Sequence, residues 1–246
     1  MSTGALSLVR RWAIDWLASH DPQACDDLLA KDYAAMVGPL VLDGRDAYVE
    51  AVMGQLRNYP GLGLTIHQAM SNGTHAAVHF TEHGAALHKN GAEASWTGIA
   101  LFETANSQIV ACWAEEDYAS RSRQLASGTP DVVGAPATAP WDGVETAANP
   151  AAEALVREWL AAPSPANGIV RDGGTPDPVD LPYLGSVDVD ALFSSGNTVA
   201  FHGRADVEGI PMGVSGLLMV QTSGELTGHV VTDRLGVMFA RRKRVG

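Results

Sequence analysis

Acidic side chains cluster beside a tryptophan in the run WAEED at residues 113–117. If this run is a strand, alternate side chains share a face, so Trp113, Glu115 and Asp117 point to the same side. An apolar wall raises the pKa of a carboxyl group and makes it a usable general acid or base near neutral pH. The pattern favours Asp117 and Glu115 as catalytic residues, with Trp113 as a substrate contact. The alternative is that these are solvated acids at the end of a strand.

Histidines form the second group that could carry out chemistry. His75, His79 and His83 follow one another at intervals of four residues, and His67 lies in the alternating segment before them. On a strand such an interval spans about 13 Å, too far for one metal ion, so we predict no metal site here. We predict that His79 and His83 assist the acid and that His67 contacts substrate. Ordinary hydrogen-bonded or surface histidines are the alternative.

Three aromatic residues complete the predicted pocket. The hydroxyl of Tyr33 is suited to polarising a substrate oxygen, and Trp96 and Phe102 are suited to an apolar lining. Plain core packing is the alternative role for each of them.

The elements that must position these residues follow from the hydrophobic period. Apolar residues at helical spacing, and an Asp cap before each of the second and third segments, predict three helices, over residues 6–17, 21–30 and 43–57. From residue 62 the period changes to two, which predicts strands over 64–70, 74–83, 95–103 and 108–118. Helices followed by an antiparallel meander predict an α+β fold with the helices on one face of a curved sheet.

The chain repeats part of itself around a proline-rich segment. Residues 126–150 are mostly Ala, Gly, Pro, Thr and Ser, a composition typical of a linker. The sequence DWLA at 15–18 matches EWLA at 158–161, and 71–79 match 194–202. We therefore predict a domain over 1–125, a linker over 126–150 and a second domain over 151–246 that lacks one helix. Chance similarity between two Ala- and Gly-rich segments is the alternative.

Composition excludes several classes of protein. A net charge of −12 over 246 residues argues against nucleic-acid binding, which needs a basic surface. No apolar run approaches the roughly 20 residues of a membrane helix. The N-terminus lacks the order of a secretory signal, so we expect a cytoplasmic protein. No phosphate-binding loop or nucleophilic-serine motif is present in the sequence.

The order of elements and three motifs resemble the SnoaL-like branch of the NTF2-like superfamily. The motifs are HDP at 20–22, LDGRDAYVEAV at 42–52, and IVACWAEEDY at 109–118, which is followed by Gln124-Leu125. The resemblance covers residues 6–125, and 151–244 resemble a degenerate copy. It implies two tandem cone folds, in each of which helices pack on a curved antiparallel sheet.

The resemblance also implies an activity. Members include polyketide cyclases and ketosteroid isomerases, which suggests cofactor-independent proton transfer, either cyclisation or isomerisation, on a small hydrophobic carbonyl substrate. Asp117 occupies the place of the acid/base aspartate of the cyclases, and Glu115 that of a carboxylate of the limonene-epoxide-hydrolase type. An epoxide hydrolase or polyether-type cyclase is one alternative, and a non-catalytic ligand-binding or scaffolding protein is another.

The second copy differs at the residues predicted to act. Trp113, Glu115 and Asp117 align with Val230, Thr232 and Arg234, so the acids are missing. Because family members commonly dimerise through their sheets, we expect the second domain to be a structural partner. The chain would then be a monomer with an internal pseudo-dimer, or a homodimer, with one competent pocket.

Overall fold

The computed structural model describes residues 4–163, 169–171, 185–207 and 209–232, which form an α+β fold with two sheets. The first unit contains α1 (Ala5–Arg11), a π-helical extension (Trp12–Ala18), α2 (Ala24–Leu28), β1 (Leu29–Val37), β2 (Leu40–Asp43), α3 (Arg45–Asn58), β3 (Gly63–Ser71), β4 (His75–Ala86), a 3-10 turn (Leu87–Lys89), β5 (Ala92–Ala105), β6 (Gln108–Glu116) and α4 (Tyr118–Ser127). The second contains α5 (Pro150–Ala161), β7 (Ile169–Arg171), β8 (Val187–Ser195), β9 (Thr198–Val207), β10 (Ile210–Val220) and β11 (Leu226–Thr232).

The first sheet has the order β2-β1-β6-β5-β4-β3. Strands β3 to β6 form the predicted meander, and the bounds of each lie close to those expected from the two-residue period. Strands β1 and β2 were not predicted, and β1 runs parallel to β6, so the sheet is not purely antiparallel. The reason is that β1 begins at Leu29, directly after the last helical residue of α2, with no turn residue to mark the change.

The helices pack on one face of this sheet and enclose an aromatic core, which we call the cone. Trp12 and Trp16 project from the first helical segment onto the strands, and the Trp12 indole donates a hydrogen bond of 2.9 Å to the Tyr48 hydroxyl of α3. Trp12 also meets Phe102 of β5 edge to face, with ring centroids 4.8 Å apart. Such aromatic pairs hold the helices in a fixed position over the sheet.

The second unit is smaller. Its sheet has the order β7-β11-β10-β9-β8, and α5 packs on one face through Ala152, Val156 and Leu160. Asn149 caps α5, and its side chain accepts hydrogen bonds from the first backbone N–H groups of the helix. Within the described ranges, α5 is the one helix of this unit. Residues 128–149 form no helix or strand.

The two sheets meet through the faces that their own helices leave uncovered, and we call this contact the seam. Its apolar part is a cluster with members from both units: Met70, Ala77, Ile99, Leu101, Phe193, Ala200, Leu217 and Val231. Hydrogen bonds tie the neighbouring hairpin ends together, from Asn72 to the Ser194 carbonyl (3.1 Å) and from Ser195 to the Ser71 carbonyl (2.7 Å).

A chain of ionisable side chains also crosses the seam. The Nε2 atom of His202 lies 3.1 Å from Glu115 Oε1 in the first unit, and its Nδ1 lies 3.1 Å from Asp190 Oδ2. Arg204 reaches the same Asp190 carboxylate at 3.4 Å. The side chains of Glu115 and His202 are each only 1% exposed. Gly213 makes room for this contact, because a Cβ there would lie 1.9 Å from Glu115 Oε1.

Across the described ranges, no helix is both long and apolar enough to cross a membrane.

Replacing His202 with Ala tests whether the seam stabilises the fold. The change removes the imidazole that hydrogen-bonds to the buried Glu115 carboxylate, and removing one partner of a buried hydrogen bond costs about 1–3 kcal/mol. Urea unfolding should show a loss of that size. Arg11→Ala is the matched control, because its pair with Asp15 is partly exposed and should contribute under about 1 kcal/mol. Equal, small losses in both variants would contradict a stabilising seam.

Candidate active site

The predicted acid Glu115 does not face the cone. Side chains alternate along β6 as expected, but Trp113 and Glu115 lie on the outer face, where Trp113 packs against the seam cluster and Glu115 against His202. The face that points into the cone carries Cys112, Ala114 and Glu116 instead. The prediction that Trp113 and Glu115 face the pocket is therefore wrong. A shift of one residue along a strand exchanges its two faces, and Glu116 faces the cone instead.

Asp117, the other predicted acid, lies at the start of α4. Its carboxylate accepts a hydrogen bond of 3.0 Å from the Ser120 backbone N–H, which caps the helix. The residue is 1% exposed. Its observed contact is therefore that of a helix cap, a common use of aspartate, and it does not join Glu115 in one site.

The histidines lie on the outer face as well. His79 and His83 occupy odd positions of β4, and the residues that reach the core of the cone from this strand are even-numbered, such as Val78 and Phe80. His83 contacts Thr65 at 3.2 Å, and His67 of β3 approaches the outer-face ring of His79. The prediction that these histidines assist an acid inside the cone is wrong, since the sheet separates them from it.

The three predicted aromatic residues do reach the cone. Tyr33 of β1 and Phe102 of β5 are fully buried in its core, and Trp96 is 1% exposed near its open end. Burial raises the pKa of Tyr33 well above its ordinary value, so its hydroxyl remains protonated. Whether any of them touches a substrate stays a prediction.

Two glutamates that the sequence interpretation did not select meet inside the cone. Glu82 lies on β4 and Glu116 on β6, and the strand between them places Trp96 beside both. The Trp96 indole donates a hydrogen bond of 2.7 Å to Glu116 Oε2. The two carboxyl groups hydrogen-bond to each other, with Glu116 as the acceptor. Gly98 leaves space for the Phe80 ring and for Glu116, because a Cβ there would collide with that ring and lie 3.0 Å from Glu116 Cγ.

Helices α3 and α4 supply the remaining contacts of this carboxyl pair. From α3, Gln55 Nε2 donates a hydrogen bond of 2.7 Å to Glu82 Oε2. From α4, the Tyr118 hydroxyl hydrogen-bonds to Glu116. The Arg121 guanidinium stacks over the Tyr118 ring at 4.3 Å, and over Trp96 at 5.0 Å. A planar cation on aromatic faces is held in a fixed position next to the acids.

Burial raises the pKa of both glutamates above the ordinary value. For Glu82 the shift is large, because the nearby negative charge of Glu116 adds to the effect of burial, and Arg121 and the Gln55 hydrogen bond offset only part of it. For Glu116 the raised pKa is opposed by the Trp96 hydrogen bond, by Arg121 and by Tyr118. The geometry thus favours one shared arrangement, in which Glu82 holds the proton and Glu116 carries the negative charge.

A pocket of about 460 Å³ opens at the mouth of the cone. Gln55, Tyr59 and Arg121 line it, and each of them also contacts the carboxyl pair or the Trp96 ring beside it. The lining residues Gln55 and Arg121 connect the pocket to Glu82 and Glu116, which are themselves 5% and 7% exposed. This volume is in the range of sites for small organic molecules.

The described part of the chain contains no group of three or more His, Cys, Asp or Glu residues arranged to hold a metal ion.

Residues 9–112 match the family model of the SnoaL-like domain. The first unit therefore contains a SnoaL-like domain. No curated protein matches the chain.

Solved structures similar to this chain cover about half of it. One is a candidate SnoaL-like polyketide cyclase from Jannaschia sp. CCS1, with 12% identity, coverage of 50% of this chain and 92% of that one, and a TM-score of 0.47. Another is IdmH, a candidate polyketide cyclase from Streptomyces antibioticus, with 15% identity, coverage of 48% and 96%, and a TM-score of 0.44. A candidate polyketide cyclase from Acidithiobacillus ferrooxidans has 16% identity, coverage of 52% and 99%, and a TM-score of 0.46.

Replacing Glu82 with Gln tests its protonation. A carboxyl group whose pKa is raised by folding stabilises the protein below its ordinary pKa, and this contribution is lost as pH rises towards the folded-state value. Glu82→Gln should therefore lose less stability than the parent protein as pH rises from about 5 to 8, as measured by thermal unfolding. Glu93→Gln, at an exposed position of β5, is the control and should follow the parent. Parallel curves for all three proteins would contradict the assignment.

Proposed function

We propose that the first unit is an acid/base enzyme that transfers a proton on a small hydrophobic carbonyl substrate, in a cyclisation or an isomerisation. The observation that carries this proposal is the carboxyl pair inside the cone, with Glu82 favoured in the protonated form and Glu116 in the ionised form. Two carboxyl groups with different protonation states at one pH are the requirement for joint acid and base catalysis. The proposal moves the acid/base role from Asp117 and Glu115 to this pair.

In the proposed reaction Glu116 removes a proton from the carbon next to the substrate carbonyl. Glu82 donates a hydrogen bond, or its proton, to the carbonyl oxygen, so the resulting enolate does not carry an isolated negative charge. In an isomerisation the proton on Glu116 then returns to a different carbon. In a cyclisation the enolate carbon forms a bond to a second carbonyl carbon of the same molecule, and the π bond of that carbonyl breaks. The resulting alkoxide takes the proton held by Glu116, and the first carbonyl re-forms as any proton given by Glu82 returns to it.

The side chains around the pair support this division of roles. Three donors stabilise ionised Glu116: the Trp96 indole, the Tyr118 hydroxyl and Glu82 itself. Arg121 places a positive charge beside both glutamates, which offsets the charge that develops on the substrate. The aromatic walls exclude water and strengthen these interactions.

Epoxide hydrolysis is a second candidate, because the cone places two carboxyl groups and a guanidinium together. In that reaction Glu82 would protonate the epoxide oxygen while Glu116 activates a water molecule that attacks carbon.

Replacing Glu116 with Gln tests the proposed base. The probe is the isomerisation of 3-cyclohexenone to conjugated 2-cyclohexenone, followed by ultraviolet absorbance. Loss of a general base should lower kcat/KM at least about 100-fold. Glu93→Gln should retain the parent rate. Asp117→Asn should also retain it, because asparagine caps a helix as well as aspartate.

The outcomes separate the alternatives. Loss of activity in Asp117→Asn together with full activity in Glu116→Gln would return the role to the acid predicted from sequence. An inactive parent protein that hydrolyses styrene oxide with incorporation of oxygen-18 from water would favour epoxide hydrolysis. If the parent turns over neither probe, the acid/base proposal fails for small carbonyl and epoxide substrates, and non-catalytic ligand binding becomes the better account.

We also propose that the second unit acts as an internal partner and that the chain is a monomer. The apolar cluster and the His202 contacts of the seam support this, because they cover the outer face of the first sheet. Light scattering across a tenfold range of concentration should give the mass of one chain, 25.8 kDa. A mass of two chains at the lowest concentration would contradict the proposal.

A further inference from the structure

A second cavity lies on the outer face of the first sheet, on the other side from the cone. It has a volume of about 490 Å³. Four parts of the chain line it: strands β3 to β5, Ser120 of α4, the segment after α4, and β11 of the second unit. His67, His79 and His229 are among the lining residues, so we call it the histidine cavity. No step of the proposed reaction uses it.

The segment that follows α4 arches over the cavity and is fixed at both ends. At one end the Asp131 backbone N–H donates a hydrogen bond of 2.9 Å to the Gln124 side chain. At the other, the Ala135 carbonyl accepts one of 2.9 Å from the His67 ring. Between them lie Val132, which is 97% exposed at the rim of the cavity, and Gly134, which has no side chain. The arch therefore covers the cavity and leaves it unfilled.

Three imidazole rings form one wall. His79 lies between the other two, with its centroid 5.0 Å from that of His67 and 4.3 Å from that of His229. Because a carbonyl oxygen can only accept a hydrogen bond, His67 Nδ1 carries a hydrogen and donates it to the Ala135 carbonyl. In the neutral ring Nε2 then has no hydrogen, and it accepts a hydrogen bond of 2.7 Å from the Thr81 hydroxyl. If Nε2 of His67 instead carried a hydrogen, it would donate to the Thr81 oxygen, and the Thr81 hydroxyl could then donate its own hydrogen to a ligand.

The charges around the cavity favour an anion. Among its described lining residues the titratable side chains are the three histidines and Asp131. Asp131 is neutralised by an ion pair with Arg123 of α4. The floor adds hydroxyl groups, including those of Thr81 and Thr97. The cavity thus offers several hydrogen-bond donors and, in its described lining, no uncompensated negative charge.

We infer that the histidine cavity binds a small oxyanion, a carboxylate or a phosphate, between His79, His229 and the Thr81 hydroxyl. The site exists only because the two units are joined, since His229 comes from the second unit and the arch from the linker. It is independent of the acid/base chemistry proposed for the cone.

The experiment titrates the full chain with citrate and, separately, with inorganic phosphate, at constant ionic strength. Histidine ring resonances are followed by NMR at about pH 6 and pH 8. We expect saturable shifts of the His79 and His229 resonances, with at least about tenfold tighter binding at the lower pH, the size of effect given by hydrogen bonds to charged groups. The ligand with the lower dissociation constant, citrate or phosphate, shows whether the site prefers a carboxylate or a phosphate.

Matched variants make the result specific. His229→Gln and Thr81→Val should each weaken binding at least about fivefold. Thr65→Val is the control for Thr81, because Thr65 makes a similar cross-strand contact with His83 at 3.2 Å but does not line the cavity. His20→Gln is the histidine control. The inference is overturned if neither anion gives a saturable shift at the lower pH, or if the two controls weaken binding as much as the cavity variants.

Discussion

The structure depends on the alternation of side chains at the end of β6. Three consecutive acids, Glu115, Glu116 and Asp117, enter three different environments there: the seam, the cone and the first turn of α4. All three are buried, and each is matched by partners of its own, because a buried carboxylate without compensation would be too costly. One strand end therefore joins the two units, presents a carboxyl group to the cone and begins the helix that carries Arg121.

This arrangement links the second unit to the proposed chemistry. The contact of His202 with Glu115 fixes β6 from outside, and Trp96 fixes Glu116 from inside. The second unit can contribute to the first, because it covers the outer face of the sheet that holds the carboxyl pair. The same covering creates the histidine cavity, in which residues of both units and of the segment after α4 meet.

Much of the fold follows from the sequence, and the family match agrees with the predicted resemblance. Four strands of the first sheet and the helices before them were predicted from their periods, and the repeat predicted that a second sheet follows the linker.

The sequence of β5 does not show which face of the sheet points into the cone, because both faces of this strand are apolar. Ala100 packs in the cone, and Ile99 and Leu101 pack in the seam. With no polar face to mark solvent, the choice of Glu115 over Glu116 was undetermined. Trp96 could have pointed to the pair once the register was known. It lies opposite Glu82, and Gly98, the next residue of β5 on the same face, lies opposite Glu116.

The central claim is that Glu82 and Glu116 share one proton at neutral pH inside the cone. Carbon-13 NMR of protein labelled at the glutamate side-chain carboxyl carbons measures this directly. The account predicts one glutamate carboxyl signal at the protonated position at neutral pH, absent from Glu82→Gln and retained in Glu93→Gln. A spectrum in which every glutamate carboxyl is fully ionised at that pH would contradict the account.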